Sequence, residues 1–389
     1  MEQNTNRMWW TIGVIVLGGL LIGGVSVLAQ EGILPKISHA FVKMLDGKDT
    51  INPDDAKDDA KDTINPNDAK WVEKGDWGTN GKFVVDKDGN AVIYAIDDSK
   101  PIIFHDMSDE NNKLPKATVT SLTFQDKVEG DTNSLMARAF TDTFPNLKTI
   151  INLDTNVDTS NVTNMVAMFG NTQLTSVGDL SQWNTSNVTN MASMFTESQL
   201  TSVGDLSNWN TSKVTNMGFM FRYSKLTSVG DLSQWNTSNV TSMGGMFTSS
   251  QLTSVGDLGQ WNTSKVTYMS QMFTSSKLTT VGDLSQWDTS KVTDMGYMFQ
   301  NSQLTSVGDL GQWNTSNVTT MGSMFSLSHL PSVGDLSQWN TSKVTYMTDM
   351  FYKSKLTSVG DLSQWNTSRV WNMNGMFEGS QLTPPAWYR

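Results

Sequence analysis

The sequence has no cysteine and few histidines. The absence of cysteine from 389 residues excludes disulfide bonds, cysteine-ligated zinc, thiol catalysis and a lipid anchor on an N-terminal cysteine. The three histidines, His39, His105 and His329, are far apart in the sequence and none has a partner at metal-ligand spacing. We therefore expect neither a cofactor nor histidine-based catalysis from these residue types.

Basic residues are in the minority. The chain has 27 Lys and Arg against 38 Asp and Glu, for a net charge of −11. Proteins that bind nucleic acid rely on clustered positive charge to neutralise phosphates. The overall charge balance therefore predicts no nucleic-acid partner.

One long apolar run lies near the N-terminus. Residues 9–28, WWTIGVIVLGGLLIGGVSVL, form 20 positions without a charge, about the length that crosses the hydrocarbon core of a bilayer. We predict that residues 1–30 are either a signal peptide cleaved after Ala29 or a retained signal-anchor transmembrane helix. The run is longer than the apolar region of most cleaved signals, which favours retention. Arg7 on the N-terminal flank predicts that the rest of the chain lies outside the membrane.

A 26-residue repeat fills the C-terminal part of the chain. Tryptophan recurs at this interval at Trp183, Trp209, Trp235, Trp261, Trp287, Trp313, Trp339 and Trp365, and phenylalanine keeps the same period. The unit LTSVGDLSQWNTSNVTNMASMFTESQ begins at residue 174, and eight units run to residue 381 after one degenerate unit. A unit this short cannot bury a core alone, so the units must stack. We predict a repeat solenoid over residues 147–389.

The apolar pattern within a unit predicts how one coil is built. Leu174, Val177 and Leu180 resemble the strand of a leucine-rich repeat, and strands of neighbouring coils would pair in parallel. Residues 184–186, Asn-Thr-Ser, predict a turn. The apolar spacing over residues 188–195 predicts a short helix or 3₁₀ helix. An alternative is a second sheet in this last segment, which would give a β-helix-like coil.

Two segments precede the array. Residues 46–70 are polar and acidic and contain the phrase DTINPxDAK twice, so we predict an acidic spacer over residues 31–70. Residues 71–146 predict a small β-rich N-terminal cap that covers the end of the solenoid. Within the cap, residues 83–94 indicate a hairpin that turns at Asp88-Gly89.

Three residue types recur as columns when the units are stacked. The Met-x-x-Met-Phe stripe predicts core packing; a Met-rich groove or a soft-metal site is the alternative. Each tryptophan is expected inside the coil with its indole N–H bonded to a turn carbonyl, against the alternative of a surface ladder that binds sugars. The aspartate of each Gly-Asp pair is expected to accept backbone N–H groups, which we favour over bound Ca²⁺.

A ligand would have to bind where the units differ. The differences are found after Thr-Ser, around the two methionines and after the phenylalanine, and we expect these positions on the outer surface. Tyrosine, tryptophan and arginine commonly anchor interfaces. The candidate ligand-binding residues are Arg222, Tyr223, Tyr268, Tyr297, Tyr346, Tyr352 and Trp371. Plain solvated surface is the alternative.

The unit LxSVGDLSxWxTSxVTxMxxMF resembles the repeat of BspA-like leucine-rich-repeat bacterial surface proteins, in the short form catalogued as a domain of unknown function. The stretch WGTNGKFVVDKDGNAVIY at residues 77–94 is similar to the segment that opens such arrays. The resemblance implies a surface-displayed or secreted adhesin that binds host matrix or epithelial surface proteins, with no catalytic residues. The sequence has no LPxTG-type wall-sorting motif, so we expect either anchoring by the N-terminal helix or a truncated gene.

Two other functions compete with adhesion. A structural surface spacer without a dedicated ligand would need the same solenoid. A protein that binds or hydrolyses surface glycans is less favoured, because hydrolysis needs two carboxylates in distinct environments and each unit offers the same single aspartate. The sequence therefore predicts a non-enzymatic binding protein.

Overall fold

The computed structural model describes residues 64–104, 113–130, 138–141 and 143–388. The predicted N-terminal helix in residues 1–30 lies outside the described residues, as does most of the predicted spacer in 31–70. Within the described part of the chain, no helix is both long enough and apolar enough to cross a membrane.

The first described strands form an antiparallel sheet. β1 (Trp71–Asp76), β2 (Gly81–Asp86) and β3 (Asn90–Ala95) pair in sequence order. The predicted hairpin at Asp88-Gly89 is confirmed: the Asp86 carboxylate accepts the backbone N–H groups of Asp88 and Asn90, each at 2.9 Å, and Gly89 has a φ of 83°. The turn therefore forms from an aspartate that binds local N–H groups and a glycine that tolerates a left-handed backbone.

Parallel pairing begins before the first regular unit. β3 pairs in parallel with β5 (Ser121–Phe124), and β5 pairs with β7 (Thr149–Ile151). A second sheet of parallel strands joins β4 (Ile102–Phe104), β6 (Val128–Gly130) and β8 (Val157–Asp158), which follows the short helix α1 (Leu153–Asn156). The pairing of β5 with β7 crosses residue 147, where we placed the start of the solenoid.

Coils of 26 residues then stack one on the next. Asn164 forms a parallel bridge to Asn190, and the same position bridges each following coil through to Asn372. Six of the coils contain a three-residue 3₁₀ helix: η1 (Leu180–Gln182), η2 (Leu258–Gln260), η3 (Leu284–Gln286), η4 (Leu310–Gln312), η5 (Leu336–Gln338) and η6 (Leu362–Gln364). The fold is therefore a repeat solenoid, as predicted, with one short 3₁₀ element in most coils.

The placement of secondary structure within a coil differs from the prediction. The strand that we predicted over residues 174–180 does not form as a regular strand: Ser176 alone makes a parallel bridge, to Thr149, and the segment then leads into η1. The short helix predicted over 188–195 is also wrong: Asn190 bridges to Asn164 and Asn216 in the two adjacent coils, and turns follow. The alternative of a second sheet does not form either, since in the described coils the pairing in this segment is limited to one residue.

Turns replace the helix because alternate N–H groups point to the next coil. Those of Met191, Ser193 and Phe195 donate to the carbonyl oxygens of residues 216, 218 and 220 at 2.9–3.0 Å. An α-helix would need the same N–H groups for its own carbonyls. The N–H of Met194 instead donates to the carbonyl of Met191, and Ser193 between them has a φ of 58°. A positive φ at the third residue is the pattern of a type II turn.

The Gly-Asp pair starts each 3₁₀ helix. Asp179 caps η1 by accepting the backbone N–H of Ser181 at 2.9 Å, so the predicted bonding of these aspartates to backbone is confirmed. Gly204, which has a φ of 83°, lies against the Asp179 carboxylate, and a Cβ atom on Gly204 would overlap it. Both the backbone conformation and the space require glycine at this position.

The repeated apolar side chains form a continuous core. The leucine, valine, methionine and phenylalanine columns are almost fully buried, and equivalent phenylalanines stack at centroid distances near 5.7 Å. The tryptophans are also buried, and the indole N–H of Trp209 donates to the carbonyl of Leu180 at 3.0 Å, a bond that each later repeat tryptophan makes to the preceding coil. The predicted core role of methionine and tryptophan is confirmed. A surface tryptophan ladder is excluded by the burial of the indoles.

Candidate functional site

The variation between coils is concentrated on one surface. We call this surface the variable face: the outer side of residues 189–199 and of the equivalent segments in the next seven coils, ending at 371–381. Its backbone is fixed by the N–H groups that donate to the next coil. Its inward-pointing methionines and phenylalanines are core residues. The remaining side chains of this segment are therefore displayed from a rigid support.

Two positions in each of these segments have a left-handed backbone. They are the second residue between the methionines and the second residue after the phenylalanine, and their non-glycine members have φ between 48° and 62°. Such a backbone costs about 1–3 kcal/mol for a residue other than glycine and persists only where the surroundings impose it. Large side chains nevertheless occupy these positions, namely Phe219, Tyr223, Tyr297 and Leu327.

All seven predicted ligand-binding residues lie on the variable face. Trp371 is the most exposed of them at 72%, followed by Tyr223 at 46% and Tyr297 at 36%. Arg222, Tyr268, Tyr346 and Tyr352 are half-buried. The solenoid therefore brings the predicted residues to one surface, but it distributes them over five coils between the second and the eighth.

One group forms in the second coil. The Arg222 guanidinium lies 4.5 Å from the centroid of the Tyr223 ring and 5.8 Å from that of Phe219, distances typical of cation–π contacts. Its Nη1 is 3.3 Å from Oε1 of Glu197 in the first coil. Tyr223 and Glu197, together with Asn171 and Gln199, line a shallow open depression of about 440 Å³.

A second group occupies the last coils. The rings of Tyr346 and Trp371 are 5.3 Å apart and tilted by 47°. Tyr346 lies over Gly322 of the preceding coil, where a Cβ atom would overlap its ring. Tyr268 covers Gly244 in the same manner three coils earlier. Aromatic rings thus cover backbone that glycine leaves exposed.

One tyrosine and one lysine in this region have shifted pKa values. Burial raises the pKa of Tyr297, and nearby Tyr346, Asp349 and Asp294 raise it further. The hydrogen bond with Tyr352 raises the pKa of Lys353, whose ammonium also lies 4.8 Å from the centroid of that ring. These shifts move the groups away from neutral pH, so none of them supplies a proton donor or acceptor poised for catalysis at pH 7.

Sequence reasoning missed Leu327. Its side chain is 41% exposed on the variable face, at a position that holds serine, asparagine or glycine in several other coils. That contrast between coils was the available signal. Leucine is not among the residue types that most often anchor interfaces, so the signal does not single it out.

The described residues contain no group of three or more histidine, aspartate or glutamate side chains that could hold a metal ion. The Gly-Asp carboxylates instead accept backbone N–H groups at 2.8–2.9 Å. What the site offers chemically is a set of aromatic, polar and charged contacts on a fixed backbone.

The comparison with protein families agrees with the repeat. A family model described as "Mycoplasma protein of unknown function, DUF285" matches residues 134–255, 199–305, 223–329, 246–358 and 276–384, which together span more than half of the chain. A crystal structure of a leucine-rich repeat protein from Eubacterium ventriosum aligns with a TM-score of 0.30 and 13% identity, over 82% of this chain and 97% of that one. None of the curated proteins matches the chain.

Proposed function

The chain belongs to the DUF285 family of repeat proteins, and from this premise we propose that it is a surface-displayed adhesin that binds host matrix or epithelial surface proteins through its variable face. The predicted family is confirmed by the match. The proposal includes no enzymatic activity. It also assigns residues 1–30 as the export signal or membrane anchor.

The proposal rests on the position of the differences between coils, which are concentrated on the variable face. The core columns are nearly the same in every coil, whereas the variable face presents different side chains in each. Exposed tyrosine, tryptophan and leucine cost solubility and are absent from most equivalent positions. Tyr223 and Tyr297 additionally occupy left-handed backbone. A binding surface explains why large aromatic side chains are kept where small polar ones would fit better.

The test is binding of the full-length protein to a panel of matrix proteins and epithelial cells. A triple variant, Tyr223→Ser, Tyr297→Ser and Trp371→Thr, replaces each exposed aromatic with a residue that other coils carry at the same position. The fold should therefore be retained. We expect at least a tenfold loss of affinity, since truncation of an aromatic anchor commonly costs more than about 1.4 kcal/mol.

A matched control changes exposed residues elsewhere on the coil. Gln260→Asn, Gln286→Asn and Gln312→Asn lie at the end of three 3₁₀ helices, where the second coil has Asn208. This variant should bind as the unmodified protein does. If the aromatic variant bound equally well, the protein would be better described as a surface spacer.

The proposed location needs its own test. Protease added to intact cells that express the full-length protein should degrade the repeat array if the array is displayed outside. The mass of the N-terminal peptide then separates the two export routes: a mature chain that starts after Ala29 indicates a cleaved signal, and an intact N-terminus indicates a retained helix.

A further inference from the structure

Five cationic side chains form a single column along the solenoid. Each is the residue after Thr-Ser in its own coil, and parallel stacking places these positions above one another. All five are exposed. We call the column the basic stripe; it consists of Lys213, Lys265, Lys291, Lys343 and Arg369.

Asparagine occupies the same position in the other three coils and holds three of the lysines in place. The Nζ atom of Lys213 donates to Oδ1 of Asn187 at 2.7 Å, and Nδ2 of Asn187 donates to the carbonyl of Ser160 at 2.7 Å. The same pair of bonds fixes Lys265 through Asn239 and Lys343 through Asn317. An ammonium has three donors, so each lysine keeps two of them for a ligand. The charges are thus positioned in advance without being neutralised.

Carboxylates do not pair with the stripe. The ion pairs among the described residues involve Lys70, Lys82, Lys100 and Arg222, and none involves a member of the stripe. The aspartates of the Gly-Asp turns stand eight positions earlier in each coil and bind backbone N–H groups. Asp288 interacts electrostatically with one member of the stripe, Lys291. The basic stripe is therefore a linear, positively charged surface on a protein whose net charge is −11.

The geometry of the stripe suits a linear polymer. With about 4.8 Å between neighbouring coils, the stripe extends over roughly 29 Å from Lys213 to Arg369. The same spacing puts neighbouring cations about 5 or 10 Å apart. A compact anion would meet only one or two of them. A chain with repeated anionic groups can meet all five.

We propose that the basic stripe binds a sulfated polysaccharide. A linear polyanion is the chemistry that an ordered row of unpaired cations recognises. The choice of a sulfated polysaccharide rests on the proposed function, because an array displayed outside the cell would meet host polymers of that kind. The stripe and the variable face consist of different residues, and they adjoin at Arg369 and Trp371: the stripe would bind by charge and the variable face through aromatic contacts.

The test compares two triple variants with the same change in charge. The stripe variant is Lys213→Asn, Lys265→Asn and Lys343→Asn, because asparagine occupies this position at Asn187, Asn239 and Asn317. The control is Lys225→Gln, Lys277→Gln and Lys355→Gln, where other coils carry glutamine. These three lysines are exposed as well. Each replacement is native to another coil, so both variants should fold.

Binding of the full-length protein to heparin is measured at several salt concentrations. We expect the stripe variant to bind at least tenfold more weakly and to lose about two to three units of the slope of log affinity against log salt, since each neutralised contact releases counterions. The control should stay within twofold of the unmodified protein. Equal losses in both variants, or no heparin binding by the unmodified protein at low salt, would overturn the proposal.

Other polymers test the chemical class. Hyaluronan carries carboxylates without sulfate and should bind much more weakly than heparin. Polyphosphate that bound as tightly as heparin would show that the stripe does not select sulfated polysaccharides. The Tyr223→Ser, Tyr297→Ser, Trp371→Thr variant should retain heparin binding. Loss of protein binding by that variant with heparin binding intact supports both ideas, whereas failure of either assay identifies which surface was assigned wrongly.

Discussion

Trp387 donates its indole N–H to the carbonyl oxygen of Leu362 at 2.8 Å. Within the array, the acceptor one coil earlier, Leu336, receives the indole of Trp365 at 3.0 Å. Trp387 therefore supplies the bond that the tryptophan of a further coil would make. Its ring and that of Tyr388 contact Phe377 at centroid distances of 6.4 and 5.1 Å. The segment after the eighth unit thus covers the end of the aromatic core.

Replacement of Trp387 by phenylalanine should loosen the last coil. The change removes the donor to Leu362 and leaves an aromatic ring, so we expect faster amide hydrogen exchange confined to residues 356–381. Tyr388→Phe is the control, because it keeps the ring contact with Phe377. Exchange that is unchanged in the Trp387 variant would mean that the last coil is stable without this bond.

The contribution of the indole hydrogen bonds to stability can be measured by comparison with a tryptophan that makes no such bond. Trp261 donates to Leu232 at 2.9 Å, whereas the buried Nε1 of Trp183 has no hydrogen-bond partner among the described residues. Trp261→Phe should therefore cost about 1 kcal/mol more than Trp183→Phe, the net value of a hydrogen bond. Urea denaturation followed by circular dichroism gives the two free energies of unfolding. Equal costs would show that ring packing alone accounts for the column.

The glycine of the Gly-Asp turn should not tolerate a side chain. Gly282 has a φ of 80°, and a Cβ atom would overlap the Asp257 carboxylate. The left-handed backbone alone predicts a cost of about 1–3 kcal/mol for Gly282→Ala. Gly296→Ala is the control: it lacks the left-handed backbone, and the first unit has Ala192 at the same position. A midpoint of thermal unfolding that fell equally in both variants would contradict the assignment.

Asp294 should destabilise the fold at neutral pH. Burial raises its pKa in the folded protein, and the N–H of Gly296 and the hydroxyl of Ser270 offset this in part. A raised folded-state pKa means that the folded protein holds the proton more tightly, so stability falls as pH rises through that range. Asp294→Asn should raise the melting temperature at pH 7, with the gain disappearing below about pH 4, the pKa of an unfolded aspartate. Asparagine is native at this position in Asn190 and Asn216.

Asp288 should behave in the opposite way. Hydrogen bonds from the side chain and backbone of Ser290 hold its pKa below the usual value. Its contribution to stability is therefore present above the unfolded pKa and is lost as pH falls through the folded pKa. Asp288→Asn, which restores the usual asparagine of the repeat, should lower the melting temperature at pH 7 and have little effect in acid. If Asp288→Asn and Asp294→Asn changed the melting temperature at pH 7 in the same direction, the two assignments would be contradicted.

The core columns were predictable from the sequence because burial follows the chemistry of each side chain. A unit of 26 residues with invariant leucine, methionine, phenylalanine and tryptophan can only stack, and tryptophan inside a core needs an acceptor for its N–H. The hairpin at Asp88-Gly89 was equally local, since it depends on one aspartate and one glycine. The candidate residues were found because the units could be compared with one another within one chain.

The path of the backbone was not predictable in the same way. The spacing of Val188, Met191, Met194 and Phe195 fits a helix as well as it fits turns, because both place these side chains on one side. A hydrogen bond between coils decides between helix and turns: the carbonyl of residue 216, in the next coil, accepts the N–H of Met191.

By itself the sequence determined the period, the family, the buried columns and the positions that vary, since each follows from residue type and spacing. The tertiary structure decided where the strands and turns lie and which of the exposed residues meet. It aligned Lys213 with Arg369 on one stripe across seven coils, although the net charge indicates an acidic protein. The physical reason is that hydrogen bonds between coils join residues about 25 positions apart, and no local pattern encodes which distant carbonyl an N–H group will reach.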